Sequence, residues 1–240
     1  MQWVNSHQWP KTKQEAYTLQ DARAGLVDIS ANMNEPELIA AVETAYGYGG
    51  EIAYAAAVVL TFPDMKEVER NLVHCRTEFP YIPGLFYFRE GPSLVAALAG
   101  LESDPDLIMV SGHGIAHPRQ CGIASHIGID FERPTIGCAR RLLHGRHRPV
   151  GETKGSRETI KNRDAEIGIA FRSKDNVKPI YISPGHLCDL RLSREFVVRC
   201  LRGYRLPEPL RFAHLMANKH KRYMEKDDKT NPPEPDDSAD

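Results

Sequence analysis

The run of small and apolar residues at 52–62 is the feature that most constrains the fold of this chain. It is rich in alanine, valine and leucine, which predicts a strand buried on both faces. Residues 66–79 alternate more and predict its antiparallel neighbour. Residues 25–30 predict a third strand, which places Asp28 among apolar residues. The first part of the chain is therefore predicted to be a three-stranded meander, with residues 31–50 irregular.

The pattern changes after the meander, because predicted helices and strands then alternate. This alternation indicates an α/β fold with a mixed central β-sheet flanked by helices. Residues 144–163 are basic and polar and predict a mobile connection. The predicted helices are 11–24, 93–101, 120–128, 193–201 and 208–219, and the further strands are 106–110, 134–138, 165–172 and 179–182.

Charge is unevenly distributed along the 240 residues. The formal net charge is -1, but residues 225–240 alone carry about -5, so the remaining body is mildly basic. We expect a single domain over residues 1–224, suited to a polyanionic partner, and an acidic disordered tail over 225–240.

Cysteine usage and hydropathy exclude several classes of protein. The five cysteines are scattered without a Cys-x-x-Cys pair, so neither a zinc site nor a disulfide framework is indicated. No apolar run approaches a membrane span of about 20 residues, and the polar N-terminus lacks a signal-peptide core. We expect a soluble cytoplasmic protein with no membrane partner.

Residues 79–92 combine rigidity with aromatic and acidic chemistry. Two prolines bracket Tyr81, Gly84 permits close backbone approach, and an aromatic run leads to Glu90. Prolines fix a loop before a ligand arrives. The stretch indicates a binding edge beside a reaction centre. The alternative is a proline-rich turn that leads into an amphipathic helix.

Polar residues follow several predicted strands and turns. Asp28, Ser111-Gly112-His113-Gly114 and Ser183-Pro184-Gly185-His186 all occupy such positions, and groups at neighbouring strand ends can converge on one crevice. Together with Glu90 they predict a hydrolase that uses a hard cation held by Asp28 and Glu90, with His186 nearby. Oxygen ligands of this kind suit magnesium.

Each of these residues also has a structural alternative. The alternative for Asp28 is that it caps a turn. For Glu90 it is pairing with Arg89 or capping the following helix, and for His186 it is a position in a turn. His117 and His126 are weak zinc candidates because their spacing is awkward and no thiolate pair accompanies them. For both histidines we expect structural hydrogen bonding.

Several long motifs occur in one register, at residues 79–92, 112–119, 122–128, 134–137, 183–186 and 205–209. Together they resemble the endonuclease V family. The similarity runs in order from about Gly25 to His214. It implies a ribonuclease H-like fold and an enzyme that uses Mg²⁺, or Mn²⁺ in its place, to cut DNA or RNA at deaminated adenine. The cut is expected one nucleotide 3′ of inosine or deoxyinosine. Separately, we expect a monomer.

The resemblance also implies roles for individual residues. Asp28 and Glu90 would be metal ligands, and His186 would lie near the metal-bound water or scissile phosphate. Tyr81 would be a wedge that fills the gap left by an everted base. The pocket for that base would be formed by Gly84, Phe86, Gly122, Ile123 and Leu143.

Two positions depart from the family pattern. Ser111 stands where the family has a metal-ligating aspartate, and Arg140 stands near the metal site where the family has lysine. Serine removes a negative charge from a site that depends on anionic oxygens, unless a carboxylate such as Asp189 compensates. The competing hypotheses are therefore a weakened or inactive relative that binds inosine-containing or single-stranded nucleic acid, and a nuclease without base selectivity.

Overall fold

The computed structural model describes residues 1–30 and 33–230, with side chains as far as residue 227. Five helices and eight strands occur in this part of the chain, together with a short 3-10 turn at Tyr48–Gly50. The helices are α1 Lys13–Ala24, α2 Phe86–Ala99, α3 Ile123–Phe131, α4 Leu190–Arg199 and α5 Glu208–Thr230. The strands are β1 Leu38–Gly47, β2 Ile52–Thr61, β3 Glu67–Arg76, β4 Leu107–Val110, β5 Thr135–Ala139, β6 Arg157–Asn162, β7 Ala165–Phe171 and β8 Ile180–His186.

All eight strands form one mixed sheet in the order β3-β2-β1-β4-β5-β8-β7-β6. The first three strands pair antiparallel, whereas β1, β4 and β5 run parallel to one another. The α/β fold with a mixed sheet is therefore confirmed. None of the helices in the described part of the chain is long and apolar enough to cross a membrane.

Helices cover both faces of the sheet and explain why β2 is apolar along its whole length. α2 and α3 pack on one face, against side chains such as Val42 and Val59. α4 and α5 pack on the other face, against Ala41 and Val58. A strand enclosed on both faces has no polar side, as its sequence predicted.

Strand direction decides which residues can meet. Because β1, β4 and β5 are parallel, their carboxyl ends share one edge, where Val42, Val110 and Gly137 lie in register. β8 runs antiparallel to β5, with Thr135 opposite His186 and Ala139 opposite Tyr181. The carboxyl end of β8 thus lies at the other edge, about 13 Å away along β5.

The first strand of the meander was predicted in the wrong place. Residues 25–30 form a loop, and the strand is β1, within the stretch that was predicted to be irregular. An aspartate flanked by apolar residues resembles a strand locally. Pairing along the whole of β2 instead selects Leu38–Gly47, whose small side chains fit between the two helical layers.

Three other predictions of secondary structure need correction. α2 begins at Phe86 and contains Pro92; burial of its aromatic residues outweighs the lost backbone hydrogen bond. The connection predicted as mobile contains β6, which pairs with β7. α5 continues to Thr230, so the predicted tail begins inside a helix. The rest of that tail, residues 231–240, lies outside the described residues.

Candidate active site

One cavity, of ≈ 640 Å³, lies at the shared carboxyl edge of β1, β4 and β5. Its first part, the base-pocket half, is lined by Tyr81, Gly84, Phe86, Gly122, Ile123 and Leu143. Its second part, the carboxylate half, is lined by Glu43, Glu90, Ser111 and Arg140. Both parts belong to one continuous space, so a bound molecule can contact them together.

The base-pocket half is formed by two loops and by the segment after β5. Tyr81 precedes α2 and is 67% exposed where it lines the cavity. Its ring and that of Phe86 meet edge to face. Gly84 has a φ of +83°, a conformation that glycine adopts without the strain other residues incur. Gly122 is the N-terminal cap residue of α3. A Cβ there would lie 2.3 Å from the carbonyl oxygen of His113, so the close approach of the two loops requires glycine.

The carboxylate half contains two buried acids from different layers. Glu43 comes from β1, and Glu90 comes from the first turns of α2. Burial raises the pKa of Glu90 well above its usual value, and the neighbouring Glu43 raises it further. Burial also raises the pKa of Glu43, although Arg140 acts in the opposite direction. Two carboxylates that share a dry site repel each other when both are ionised.

Two basic side chains approach Glu43. Arg140 Nη2 lies 3.1 Å from Glu43 Oε2, and His214 Nδ1, from α5, lies 3.8 Å from the same oxygen. Burial and the charge of Arg140 lower the pKa of His214, so its imidazole is neutral at neutral pH. The Ser111 hydroxyl also interacts with Glu43. Arg140 is thus the cation in contact with Glu43, while Glu90 has a hydrogen bond from Tyr46 and feels the charge of Arg89.

Known proteins are similar in sequence to this chain over most of its length. The family model for endonuclease V matches residues 22–215. The chain is 42% identical over 219 residues to endonuclease V from Nostoc sp., covering 91% of this chain and 99% of that protein. The chain belongs to the endonuclease V family.

Solved endonuclease V structures share the fold. The crystal structure of endonuclease V from Streptomyces avermitilis is 34% identical and superposes with a TM-score of 0.85, covering 90% of this chain and 96% of that one. Endonuclease V from Ciona intestinalis, in complex with a 24mer DNA containing an inosine followed by a ribo-adenosine, is 25% identical with a TM-score of 0.78. That comparison covers 88% of this chain and 98% of the Ciona chain. The ribonuclease H-like fold predicted from the resemblance is thus confirmed.

Most of the residues predicted from the endonuclease V resemblance line the cavity. The six residues of the base-pocket half do so, as do Glu90, Ser111 and Arg140. Asp28 and His186 do not. They meet each other elsewhere, because the Asp28 backbone N–H donates to His186 Nδ1 at 3.1 Å.

Asp28 and His186 lie in a different part of the fold from Glu90. The Asp28 carboxylate is exposed in a loop, where it accepts hydrogen bonds from the Ser30 N–H and hydroxyl. His186 ends β8, whose antiparallel direction carries it to the opposite edge of the sheet from Glu90. The structural alternative weighed for Asp28, a turn-capping role, describes its contacts.

Sequence reasoning missed Glu43 and His214. Glu43 lies in an apolar run, residues 38–42 followed by Thr44 and Ala45, and an acid in a buried strand is a usable signal because it is costly to bury. His214 lies within the predicted last helix but carries no local signal. Only the packing of α5 across β1 brings it to Glu43.

The oxygen ligands in the carboxylate half fit one magnesium ion. Within the described ranges no group of three or more His, Cys, Asp or Glu side chains is arranged to hold a metal. The available ligands are two carboxylates and the Ser111 hydroxyl, and Mg²⁺ commonly binds through one or two carboxylates while keeping waters and substrate phosphates. A divalent cation would also relieve the repulsion that raises the pKa of Glu90.

Other candidate ligands are used elsewhere. Asp189, considered as a substitute for the missing carboxylate, caps α4 by accepting from the Leu192 N–H at 2.6 Å, and it lines a separate cavity. His126 is fully buried and stacks on Tyr87 with ring centroids 4.0 Å apart. His117 donates to the Gly84 carbonyl oxygen. The predicted structural hydrogen bonding is thus found for His117. For His126 the prediction is wrong, because neither of its ring nitrogens has a hydrogen-bond partner among the described residues and its ring is held by stacking on Tyr87.

Proposed function

We propose that this chain is a metal-dependent endonuclease that recognises inosine or deoxyinosine in RNA or DNA and hydrolyses the phosphodiester bond one nucleotide 3′ of it. The observation that carries the proposal is the continuous cavity, which joins a glycine- and aromatic-lined pocket to two buried carboxylates. A base and a phosphate of one strand can therefore occupy it together. The DNA held by the Ciona intestinalis relative contains inosine, which supports the choice of base.

In this proposal the base-pocket half receives an everted hypoxanthine. Tyr81, exposed and framed by two prolines, fills the gap left in the stack. Gly84 and Gly122 let the backbone approach the base edge, while Phe86, Ile123 and Leu143 contact its faces. Because the loops are fixed by proline and by partly buried hydrogen bonds, little ordering is needed when the base enters.

The carboxylate half would hold Mg²⁺, or Mn²⁺ in its place, through Glu43, Glu90 and Ser111. When bound, the ion supplies Lewis-acid activation of the scissile phosphate. The ligand role first assigned to Asp28 passes to Glu43, which shares the cavity with Glu90. Arg140 orients Glu43 and lies where it can contact a phosphate oxygen.

His214 takes the role first assigned to His186. Its imidazole is neutral at neutral pH and lies beside Glu43. We propose that it accepts a proton from the attacking water. Neutral histidine suits this task because its ordinary pKa lies close to the working pH.

The second candidate is a binder that has lost efficient cleavage, and one observation favours it. Ser111 contributes a neutral oxygen where the family pattern has an aspartate, so the metal would be held by one charge fewer. This candidate keeps Tyr81 and the base pocket and predicts inosine-selective binding without hydrolysis. The expected monomeric state and cytoplasmic location remain predictions under both candidates.

A cleavage assay separates the candidates. End-labelled single strands of DNA and RNA, each with one inosine or with adenosine in its place, are incubated with the purified chain in Mg²⁺, Mn²⁺ or EDTA. We expect metal-dependent cleavage of the inosine strands one nucleotide 3′ of the base. Inosine-selective binding with no cleavage in either metal would establish the binder, and equal cleavage of inosine and adenosine strands would establish a nuclease without base selectivity.

A further inference from the structure

We propose that Gln20 determines base specificity by holding the two loops of the base pocket together and by occupying their carbonyl oxygens. This inference rests on the proposed recognition of inosine and extends it to a residue of α1, ahead of the segment matched by the family model. Gln20 is 1% exposed and lines the cavity. It is thus a buried polar side chain beside the proposed base site.

The side-chain amide of Gln20 bridges two loops that are distant in sequence. Its Nε2 donates to the carbonyl oxygen of Gly84 at 3.0 Å and to that of Cys121 at 2.9 Å. Gly84 belongs to the loop that carries Tyr81, and Cys121 precedes the Gly122 cap of α3. One amide group therefore sets the separation of the two walls between which a base would insert.

The orientation of this amide is fixed by its surroundings. If the amide were flipped, Oε1 would face two carbonyl oxygens, which cannot donate to it. In the observed orientation Oε1 is buried and has no hydrogen-bond partner. A buried acceptor without a partner is destabilising, so the two hydrogen bonds made by Nε2 outweigh this cost.

His117 completes the arrangement at Gly84. Its Nδ1 accepts from the Arg119 N–H at 3.1 Å, so the proton lies on Nε2, which donates to the Gly84 carbonyl oxygen at 2.9 Å. That oxygen thus receives two donors, one from His117 and one from Gln20, and a carbonyl oxygen has two lone pairs. No acceptor capacity is left there for a ligand.

The saturated Gly84 carbonyl oxygen discriminates between adenine and hypoxanthine. Adenine presents an amino group at the position where hypoxanthine presents a carbonyl oxygen. An amino group entering the pocket meets the Gly84 carbonyl oxygen, which cannot accept from it, and loses its hydrogen bonds to water. Sites that leave a buried polar group of the wrong ligand unpaired discriminate strongly. Without Gln20, one lone pair on the Gly84 carbonyl oxygen becomes free to accept from adenine.

The test measures binding rather than cleavage, so it does not depend on the proposed metal chemistry. Fluorescence anisotropy in EDTA gives the dissociation constants of Gln20→Leu for a labelled inosine oligonucleotide and for its adenosine counterpart. We expect the preference for inosine to fall by roughly tenfold, with affinity for the adenosine strand equal or higher. General damage to the fold would instead weaken both.

Matched variants keep the outcome interpretable. Gln14→Leu makes the same chemical change at an exposed position of α1 and should leave the preference at the wild-type value. Gln20→Glu at pH 8 retains the shape but removes both donors, and serves if Gln20→Leu fails to fold. An unchanged preference in a folded Gln20 variant would overturn the proposal, as would a wild-type chain that binds both strands equally. Inosine-selective binding without cleavage would contradict only the proposed hydrolysis.

Discussion

The two halves of the cavity are stabilised in different ways. In the base-pocket half the backbone is held by hydrogen bonds to buried neutral side chains, Gln20 and His117, at distances between 2.9 and 3.0 Å. In the carboxylate half, Glu43 and Glu90 are buried together, with Arg140 as the cation in contact with Glu43. The backbone of the first half is held by groups of the chain itself, whereas in the second half two carboxylates repel each other, and an added cation would relieve that repulsion.

This difference has a functional consequence. A preformed pocket binds its ligand with little further ordering, so recognition should persist when metal is removed or a carboxylate is neutralised. Cleavage should depend steeply on both. Substitutions in the carboxylate half are therefore expected to change cleavage and leave recognition largely intact. Substitutions in the base-pocket half are expected to do the reverse.

The largest effect is expected from neutralising the buried acids. Glu43→Gln or Glu90→Gln should lower the cleavage rate of an inosine strand by roughly 10²–10³-fold, because each removes an anionic ligand. Affinity for that strand in EDTA should stay within a few-fold of wild type. Glu51→Gln, a matched change at an exposed residue of the same hairpin, should change neither. Cleavage at the wild-type rate in both variants would show that the reaction centre lies elsewhere.

The next largest effect is expected in the pH dependence of stability, and it comes from His117 in the base-pocket half. Burial lowers the pKa of His117 from 6.5 to about 4. Between these values the unfolded chain binds more protons than the folded one, so stability rises with pH and is lost as pH falls from 6.5 toward 4. His117 alone contributes up to about 3 kcal/mol to the free energy of unfolding at neutral pH, because a difference of one in pKa corresponds to about 1.36 kcal/mol.

His117→Gln isolates this contribution. Glutamine can still donate to Gly84 but does not titrate, so the difference in unfolding free energy between wild type and variant should shrink as pH falls from 7 to 4. Urea unfolding followed by circular dichroism at several pH values measures it. A difference that is constant across this range would mean that His117 is not held neutral by the fold.

A roughly tenfold effect is expected at the exposed wedge. Tyr81→Ala should lower the preference for inosine over adenosine strands by about that factor, because aromatic stacking contributes roughly 1–3 kcal/mol per base. Tyr223→Ala removes another tyrosine ring, 69% exposed on α5, and should leave the preference unchanged. If Tyr81→Ala weakened binding of inosine and adenosine strands equally, this would count against base eversion.

The smallest effect, a several-fold change in cleavage rate, is expected from substitution of Ser111. Ser111→Asp adds a third carboxylate, which should raise the cleavage rate and lower the Mg²⁺ concentration at half-maximal rate. Without metal the added charge should lower the melting temperature, and Mg²⁺ should restore it. Ser111→Asn, neutral and of similar size to aspartate, should show neither change. No gain in cleavage from Ser111→Asp would mean that the carboxylate half is organised differently.

The sequence alone determined the fold class and most of the base pocket. Apolar runs and their alternation with helices depend on local burial, so the mixed α/β sheet could be predicted from them. Tyr81, Gly84 and Gly122 could likewise be found, because proline frames and glycine contacts are properties of short segments. The resemblance to endonuclease V supplied their roles.

Only the tertiary structure decided the composition of the carboxylate half. Asp28 and Glu43 are both acids in apolar stretches of the sequence, and only Glu43 lies in the cavity with Glu90. Pairing of β1 with β2 and β4 brings Glu43 to the cavity, while the antiparallel direction of β8 takes His186 away from it. Strand direction and helix packing are set by contacts between distant segments, and no local pattern encodes them.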